Sequence, residues 1–243
     1  MTTETPLQRA HRIKQFGYLL SVDSDPKTAK SNSTEDGYLT AIQYLAPAMS
    51  GGGKDLCPFR SPGCTRGCLN TAGNPVYLRG KLRARYERTQ LYLKDREAYL
   101  ALLEWELGRF VAKCERLGKR PAVRLKGTSD SVWEKVAPQL FERFPQIMYY
   151  DYSKIPTRKN LPSNYDLTFS RSEENDFNAG LMLARGFRVA MVFRRRLPQS
   201  WQGAAVVNGD EHDMTFLRPA GVVLGLKAKG LARQDATGFV IDN

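Results

Sequence analysis

The sequence is short of histidine, of paired C-x2-C motifs, of carboxylates and of long apolar runs, and each shortage narrows what the chain can do. Only two histidines occur among 243 residues, and His11 has no partner in the sequence that would make a metal or acid–base pair. Without a C-x2-C knuckle the usual four-ligand structural zinc site is missing. No run approaches the roughly 20 apolar residues that span a bilayer, and the opening Met-Thr-Thr-Glu-Thr-Pro lacks the charged and apolar regions of a secretory signal. A cytoplasmic protein with reduced thiols and no membrane partner is expected. No fixed-period repeat and no linker-like tract divides the chain, so one domain is expected, while 42% hydrophobic and 26% charged residues argue against disorder. Asp plus Glu number 25 against 37 Lys plus Arg, a net charge of +12. That balance favours a polyanionic partner, nucleic acid first, or an anionic nucleotide-like small molecule.

What is present is a concentration of thiols. Cys57-Pro-Phe-Arg-Ser-Pro-Gly-Cys64-Thr-Arg-Gly-Cys68 holds three of the four cysteines in a C-x6-C-x3-C spacing, on a segment too rich in Gly and Pro for a regular helix or strand. A buried free cysteine is normally a small apolar residue, yet Lys54, Asp55, Arg60, Ser61, Thr65 and Arg66 surround these three. Thiolates gathered on a turn-rich loop point to a metal or iron–sulfur site at Cys57, Cys64 and Cys68. Three ligands suit a [4Fe–4S] cluster with one iron left open. Cys114 falls on an apolar helical stripe and is expected in the core.

The rest of the chain supplies a frame for that loop. A short helix is expected around Leu7 to Phe16, then a polar segment to residue 37. Tyr38-Leu-Thr-Ala-Ile-Gln-Tyr-Leu45 reads as a buried strand ended by Pro47. After Pro75 the pattern turns helical, with Leu78, Leu82 and Tyr86 on one stripe among Arg79, Lys81, Arg83, Arg85 and Arg88. Asp95 caps a second helix running to Gly118. From Pro121 strands and helices alternate: runs at 122–126, 147–150, 165–169, 187–193, 204–207 and 221–226, with helices at 132–144 and up to Arg185. Alternation of this kind means βα units and a parallel sheet. Seven strands predict an α/β fold, a TIM-like or partial (βα) barrel over residues 38–243 with the cysteine loop after its first strand and residues 1–37 packed on it.

In such barrels the residues just after each strand carry the site. Here they are Thr128, Ser129, Asp130, Asp151, Lys154, Ser170, Arg171, Glu173, Asp210, Asp213, Lys227 and Lys229, beside the cysteine loop. Asp151 and Lys154, directly after an apolar strand, form a candidate half-buried ion pair. Asp210, His212 and Asp213 are candidate ligands for a divalent metal. Asp151, Lys154, Glu173 and Asp210 are the candidate catalytic groups.

A cysteine loop after strand one followed by further βα units resembles the radical SAM superfamily. The resemblance implies a partial (βα)6 barrel, a cluster on Cys57, Cys64 and Cys68, and S-adenosylmethionine on the open iron. It places Gly127, Thr128 and Ser129 at the second-strand motif that meets the methionine amino group, with Asp130 beside them as a candidate cofactor-binding residue by its strand-end place. Ser170 and Glu173 fall at the fourth strand, whose polar residue meets the ribose; Arg171 and Lys227 are further candidate cofactor-binding residues by their place at strand ends. That superfamily's usual spacing is C-x3-C-x2-C, which this loop departs from. More closely, Lys-Thr-Ala-Lys-Ser-Asn (27 to 32), Val-Arg-Leu-Lys-Gly-Thr-Ser-Asp, Tyr-Asp-Tyr-Ser-Lys and Leu-Thr-Phe-Ser-Arg-Ser-Glu resemble a family of uncharacterised phage- and plasmid-borne proteins, which implies a mobile-element origin and the host cytoplasm.

Three functions compete on these grounds. The first is an iron–sulfur barrel enzyme, radical SAM-like, acting on a nucleic acid or nucleotide. The second is a divalent-metal hydrolase or nuclease using Asp130, Asp151, Asp210 and Asp213. The third is a nucleic-acid-binding protein with a structural thiolate metal site, in which the Arg79–Arg88 helix, with Tyr77, Tyr86 and Tyr92, contacts phosphates and bases.

Overall fold

The computed structural model describes residues 3–24, 26–70 and 75–242. The strands are β1 (Leu20–Ser21), β2 (Tyr38–Gln43), β3 (Arg120–Arg124), β4 (Met148–Ser153), β5 (Tyr165–Ser170), β6 (Val189–Phe193), β7 (Ser200–Trp201), β8 (Ala204–Asn208), β9 (Val223–Lys227) and β10 (Val240–Ile241). The helices are α1 (Pro6–Ile13), α2 (Pro26–Asn32), α3 (Pro62–Arg66), α4 (Pro75–Lys94), α5 (Arg96–Arg116), α6 (Trp133–Val136), α7 (Gln139–Arg143) and α8 (Asp176–Ala184).

One mixed α/β layer results. The sheet runs β1-β2-β3-β4-β5-β6-β9-β8-β7, with β10 also on β6. It is largely parallel and open: β2 to β6, β9 and β8 run parallel, while β1 is antiparallel to β2 and β7 to β8. All seven strands expected from the sequence are present as β2, β3, β4, β5, β6, β8 and β9. The chain leaves sequential order at the end, where β9 inserts between β6 and β8.

Side chains alternate across each strand, and the two faces differ in kind. One face carries Leu39, Ala41, Val123, Leu125 and Tyr149 into the main core, against Tyr99, Leu102, Leu103, Leu107 and Phe110 of α5 and against Trp133 and Phe141. The Asp95 carboxylate caps α5 by accepting from the Ala98 amide at 3.1 Å, and Cys114 is fully buried on the same stripe. The single helix expected over 132–144 breaks into α6 and α7, because Pro138 drives Ala137 out of the helical region to φ −152°. The opposite face carries Arg124, Tyr150, Tyr152, Thr168 and Ser170.

Residues ahead of β2 are built into this sheet. Glu106 of α5 accepts from the amides of Leu19 and Leu20 at 2.9 Å each, fixing β1 beside β2. Asn32 at the end of α2 accepts from the Thr40 amide at 2.7 Å.

Candidate functional site

A cleft of about 370 Å³ lies at the C-terminal ends of the parallel strands, where ligands of α/β sheets bind. Its volume is within the range of small-molecule sites. Cys57, Cys64 and Cys68 line it, with Gly127, Thr128, Ser129, Asp130, Lys154, Ser170, Arg171, Asp210 and Lys227. The strand-end residues named from sequence therefore meet in one place, with the exception of Asp151 and Glu173.

The cysteine loop is held to the sheet by short, specific bonds. The Asp130 amide donates to the Leu56 carbonyl at 2.7 Å, and the Thr128 hydroxyl to the Leu45 carbonyl at 2.5 Å. Ser61 caps α3 by accepting from the Cys64 amide at 3.1 Å. Glu173 grips the same turn, accepting from the Ser61 hydroxyl and the Gly63 amide at 2.6 Å each. Glu173 is thus engaged in positioning Cys64. Gly63 admits the C-terminal segment: a Cβ there would lie 2.2 Å from the Thr237 hydroxyl and 2.4 Å from the Phe239 Cβ. Arg171 holds that segment from the other side by donating to the carbonyls of Gly238 and Phe239 at 2.5 and 2.9 Å.

None of the three cysteines forms a disulfide, and all are half-buried. The Ala48 amide donates to Cys57 Sγ at 3.4 Å, yet burial pushes the Cys57 thiol up to about 12, with Asp130 and the Cys68 and Cys64 sulfurs adding to it. Burial also raises Cys68. Among the described residues no three His, Cys, Asp or Glu side chains gather closely enough to hold a metal ion.

Nine lysines and arginines line the cleft against three aspartates, and the aspartates are already answered. Asp130 accepts from Lys126 Nζ, the Ser153 hydroxyl and the Lys154 amide, all at 2.9 Å. Burial opposes its charge, but Lys126 and the amide outweigh it and hold the carboxyl below the usual range. Asp213 accepts from Arg124 at 2.7 Å and Lys27 at 3.0 Å, which likewise overcome burial and keep it ionised. Asp210 accepts from the Lys227 amide at 2.8 Å and Lys229 Nζ at 2.6 Å. His212, between them, has a buried Nδ1 with no hydrogen-bond partner. Of the divalent-metal trio expected at 210, 212 and 213, Asp210 and Asp213 are instead each engaged in ion pairs.

Asp151 and Lys154 do not form the expected ion pair. Three residues apart on an extended strand, they leave opposite faces. Asp151 is fully buried, accepts from the Leu125 and Lys126 amides and the Tyr165 hydroxyl at 3.3, 2.9 and 3.0 Å, and is pushed up to about 6 by burial. Lys154 Nζ reaches the Ser170 hydroxyl at 2.8 Å. Gly127, expected at a cofactor amino group, also has a packing reason to be glycine, since a Cβ would lie 2.4 Å from the Tyr44 ring.

Lys27 and Lys30 of α2, together with Arg124, Lys126 and Tyr152, line the cleft and were not read as site residues. The signal for Arg124 and Lys126 was there: charges alternating with Val123 and Leu125 in a buried strand mark a polar inner face. In α4, Arg85 is buried, donates to Asn70 at 2.7 Å and stacks 4.4 Å from the Tyr44 ring centre, while Arg88 lies over Phe16. Tyr92 is core and Tyr86 exposed, while the side chain of Tyr77 lies outside the described part.

No helix of the described residues is long and apolar enough to cross a membrane. No curated protein and no solved structure matches the chain. A family model described as gene product 88, GP88, matches residues 18–243, and the chain belongs to this phage-type family.

Proposed function

We propose that the protein is an iron–sulfur enzyme of radical SAM-like layout, built on a partial (βα) barrel and acting on a nucleotide or nucleic acid in the cytoplasm of the host cell. The observation that carries this reading is the convergence of Cys57, Cys64 and Cys68 with Thr128, Ser129, Lys154 and Ser170 on one cleft at the strand C-termini. The donor chemistry supports the group: three thiols lining one cleft suit an all-thiolate cluster, whose protein ligands each bind a different iron, whereas a single zinc ion would need all its ligands about 2.3 Å from one point. When bound, a [4Fe–4S] cluster with three protein ligands would offer an open iron to S-adenosylmethionine and the electron for its reductive cleavage. The chain's own part is to position and to exclude water. Ser129, whose buried hydroxyl has no partner, and the Lys154–Ser170 pair offer donors to a polar cofactor. Thr128 and Asp130 fix the loop that presents Cys57.

The divalent-metal hydrolase draws less support, because Asp130, Asp210 and Asp213 each answer a cation and Asp151 is sealed beneath the cleft floor. The binding-protein reading loses the inward-turned Arg85 and Arg88. The test is iron and acid-labile sulfide content, with a visible spectrum, on anaerobically purified protein beside a Cys64→Ala control. About four irons per chain, lost in the control, is the expected result; zinc or no metal would overturn the reading.

A further inference from the structure

The cleft has a second wall, facing the thiols, that the cysteine chemistry does not use. It is made where α2 meets the turns after β8 and β9. Lys30 donates to the Asp210 backbone carbonyl, Lys229 pairs with the Asp210 carboxylate at 2.6 Å, and Lys227 projects from the end of β9 beside them. Beneath lie Arg124 and Lys27, sharing Asp213. Five cations stand against two carboxylates on this wall. Among the described residues neither Lys30 nor Lys227 has a carboxylate partner. His212 brings the unpartnered Nδ1 to the same place.

We infer that this wall is a phosphate subsite, in which Lys30, Lys227 and Lys229 grip the phosphate group of a nucleotide. Ammonium groups converging on one pocket side are the chemistry that recognises a compact multivalent anion, and the volume of about 370 Å³ is scaled to a small molecule. The assignment rests on the preceding reading only in calling that nucleotide a substrate.

Binding is measured by titration calorimetry on the full chain, using inorganic phosphate, the four nucleoside 5′-monophosphates, the matching nucleosides and a short single-stranded oligonucleotide. The expected result is that monophosphates bind and nucleosides do not, with inorganic phosphate competing. Lys30→Gln and Lys227→Gln, both at exposed positions that leave the fold intact, each weaken binding about tenfold, whereas Cys64→Ala leaves it unchanged. Binding of nucleosides as strong as that of their monophosphates, or indifference to both lysine substitutions, overturns the inference. Tight binding of the oligonucleotide alone, without competition by monophosphates, also overturns it in favour of a strand-binding surface. Phosphate binding by anaerobically purified wild-type protein that holds no iron would sink the cluster enzyme and leave the subsite standing.

Discussion

The two faces of the same parallel strands are held together by different physics. On the helix-covered face, β3 and β4 bury Val123, Leu125 and Tyr149 among aromatic and aliphatic side chains, where stability comes from area removed from water and from close packing. On the cleft face the same strands bury Arg124 and Lys126, 5% and 2% exposed, whose desolvation is offset by Asp213 and Asp130. The first face tolerates no loss of volume. The second tolerates no loss of balance, because a buried charge stripped of its partner is strongly destabilising.

That contrast is most sharply tested by one truncation on each face. Trp133→Ala, which removes a fully buried ring and its 3.1 Å bond to the Leu125 carbonyl, should cost about 3–5 kcal/mol by urea unfolding. Asp213→Asn should cost a similar amount, about 3–5 kcal/mol, because buried Arg124 loses its close partner and keeps only Asp151 at 3.7 Å. The faces then part company in the double substitutions. Arg124→Met with Asp213→Leu should recover at least half of the loss, whereas no second truncation rescues Trp133→Ala. Failure of the charged pair to recover would mean that packing governs both faces.

A smaller effect separates Asp151 from the other two buried carboxylates. The Asp151 carboxyl, pushed up to about 6 in the fold from 3.8, favours the folded state more when protonated. Its contribution is therefore relieved below about pH 4 and turns unfavourable as pH rises through 6, by up to about 3 kcal/mol. Asp130 and Asp213 run the other way, since both are lowered and their stabilisation is lost as pH falls. The difference in unfolding free energy between the wild type and Asp151→Asn should slope downward from pH 4 to 7, and a flat difference would place ordinary solvation around Asp151. Smallest of all, Glu173→Ala should cost about 1–3 kcal/mol by leaving the Ser61 hydroxyl and Gly63 amide unanswered. It should also speed alkylation of Cys64 as α3 loosens. An unchanged alkylation rate would free Glu173 for a role in chemistry.

The elements that could be read from sequence are those whose signal is local. All seven strands announced themselves as apolar runs, and Asp95 and Cys114 fell where capping and helical period put them. Two-residue strands such as β1 and β10 have no period to read, and α3 is a single turn whose cap, Ser61, accepts locally from the Cys64 amide while its hydroxyl donates to Glu173, 112 residues away. Lys27 and Lys30 sit in a stretch whose Ser, Thr and Asn content spells loop, yet α2 forms because Asn32 and Ser31 find partners on β2 and at Asp213. The strand-end rule gathered most of the cleft. It could not say which acids were spoken for, since Asp151 and Lys154 differ by which way an extended chain turns each side chain.

The wiring of the cleft also orders its assembly. Bonds within the cysteine loop span few residues, three between Ser61 and Cys64, and the tie from Thr128 to Leu45 spans 83. Lys27 and Asp213 are 186 apart and Lys30 and Asp210 are 180 apart, so the cationic wall exists only once nearly the whole chain has been brought together. The cysteine turn depends on the same long-range closure on one side, where Gly63 packs against Thr237 and Phe239.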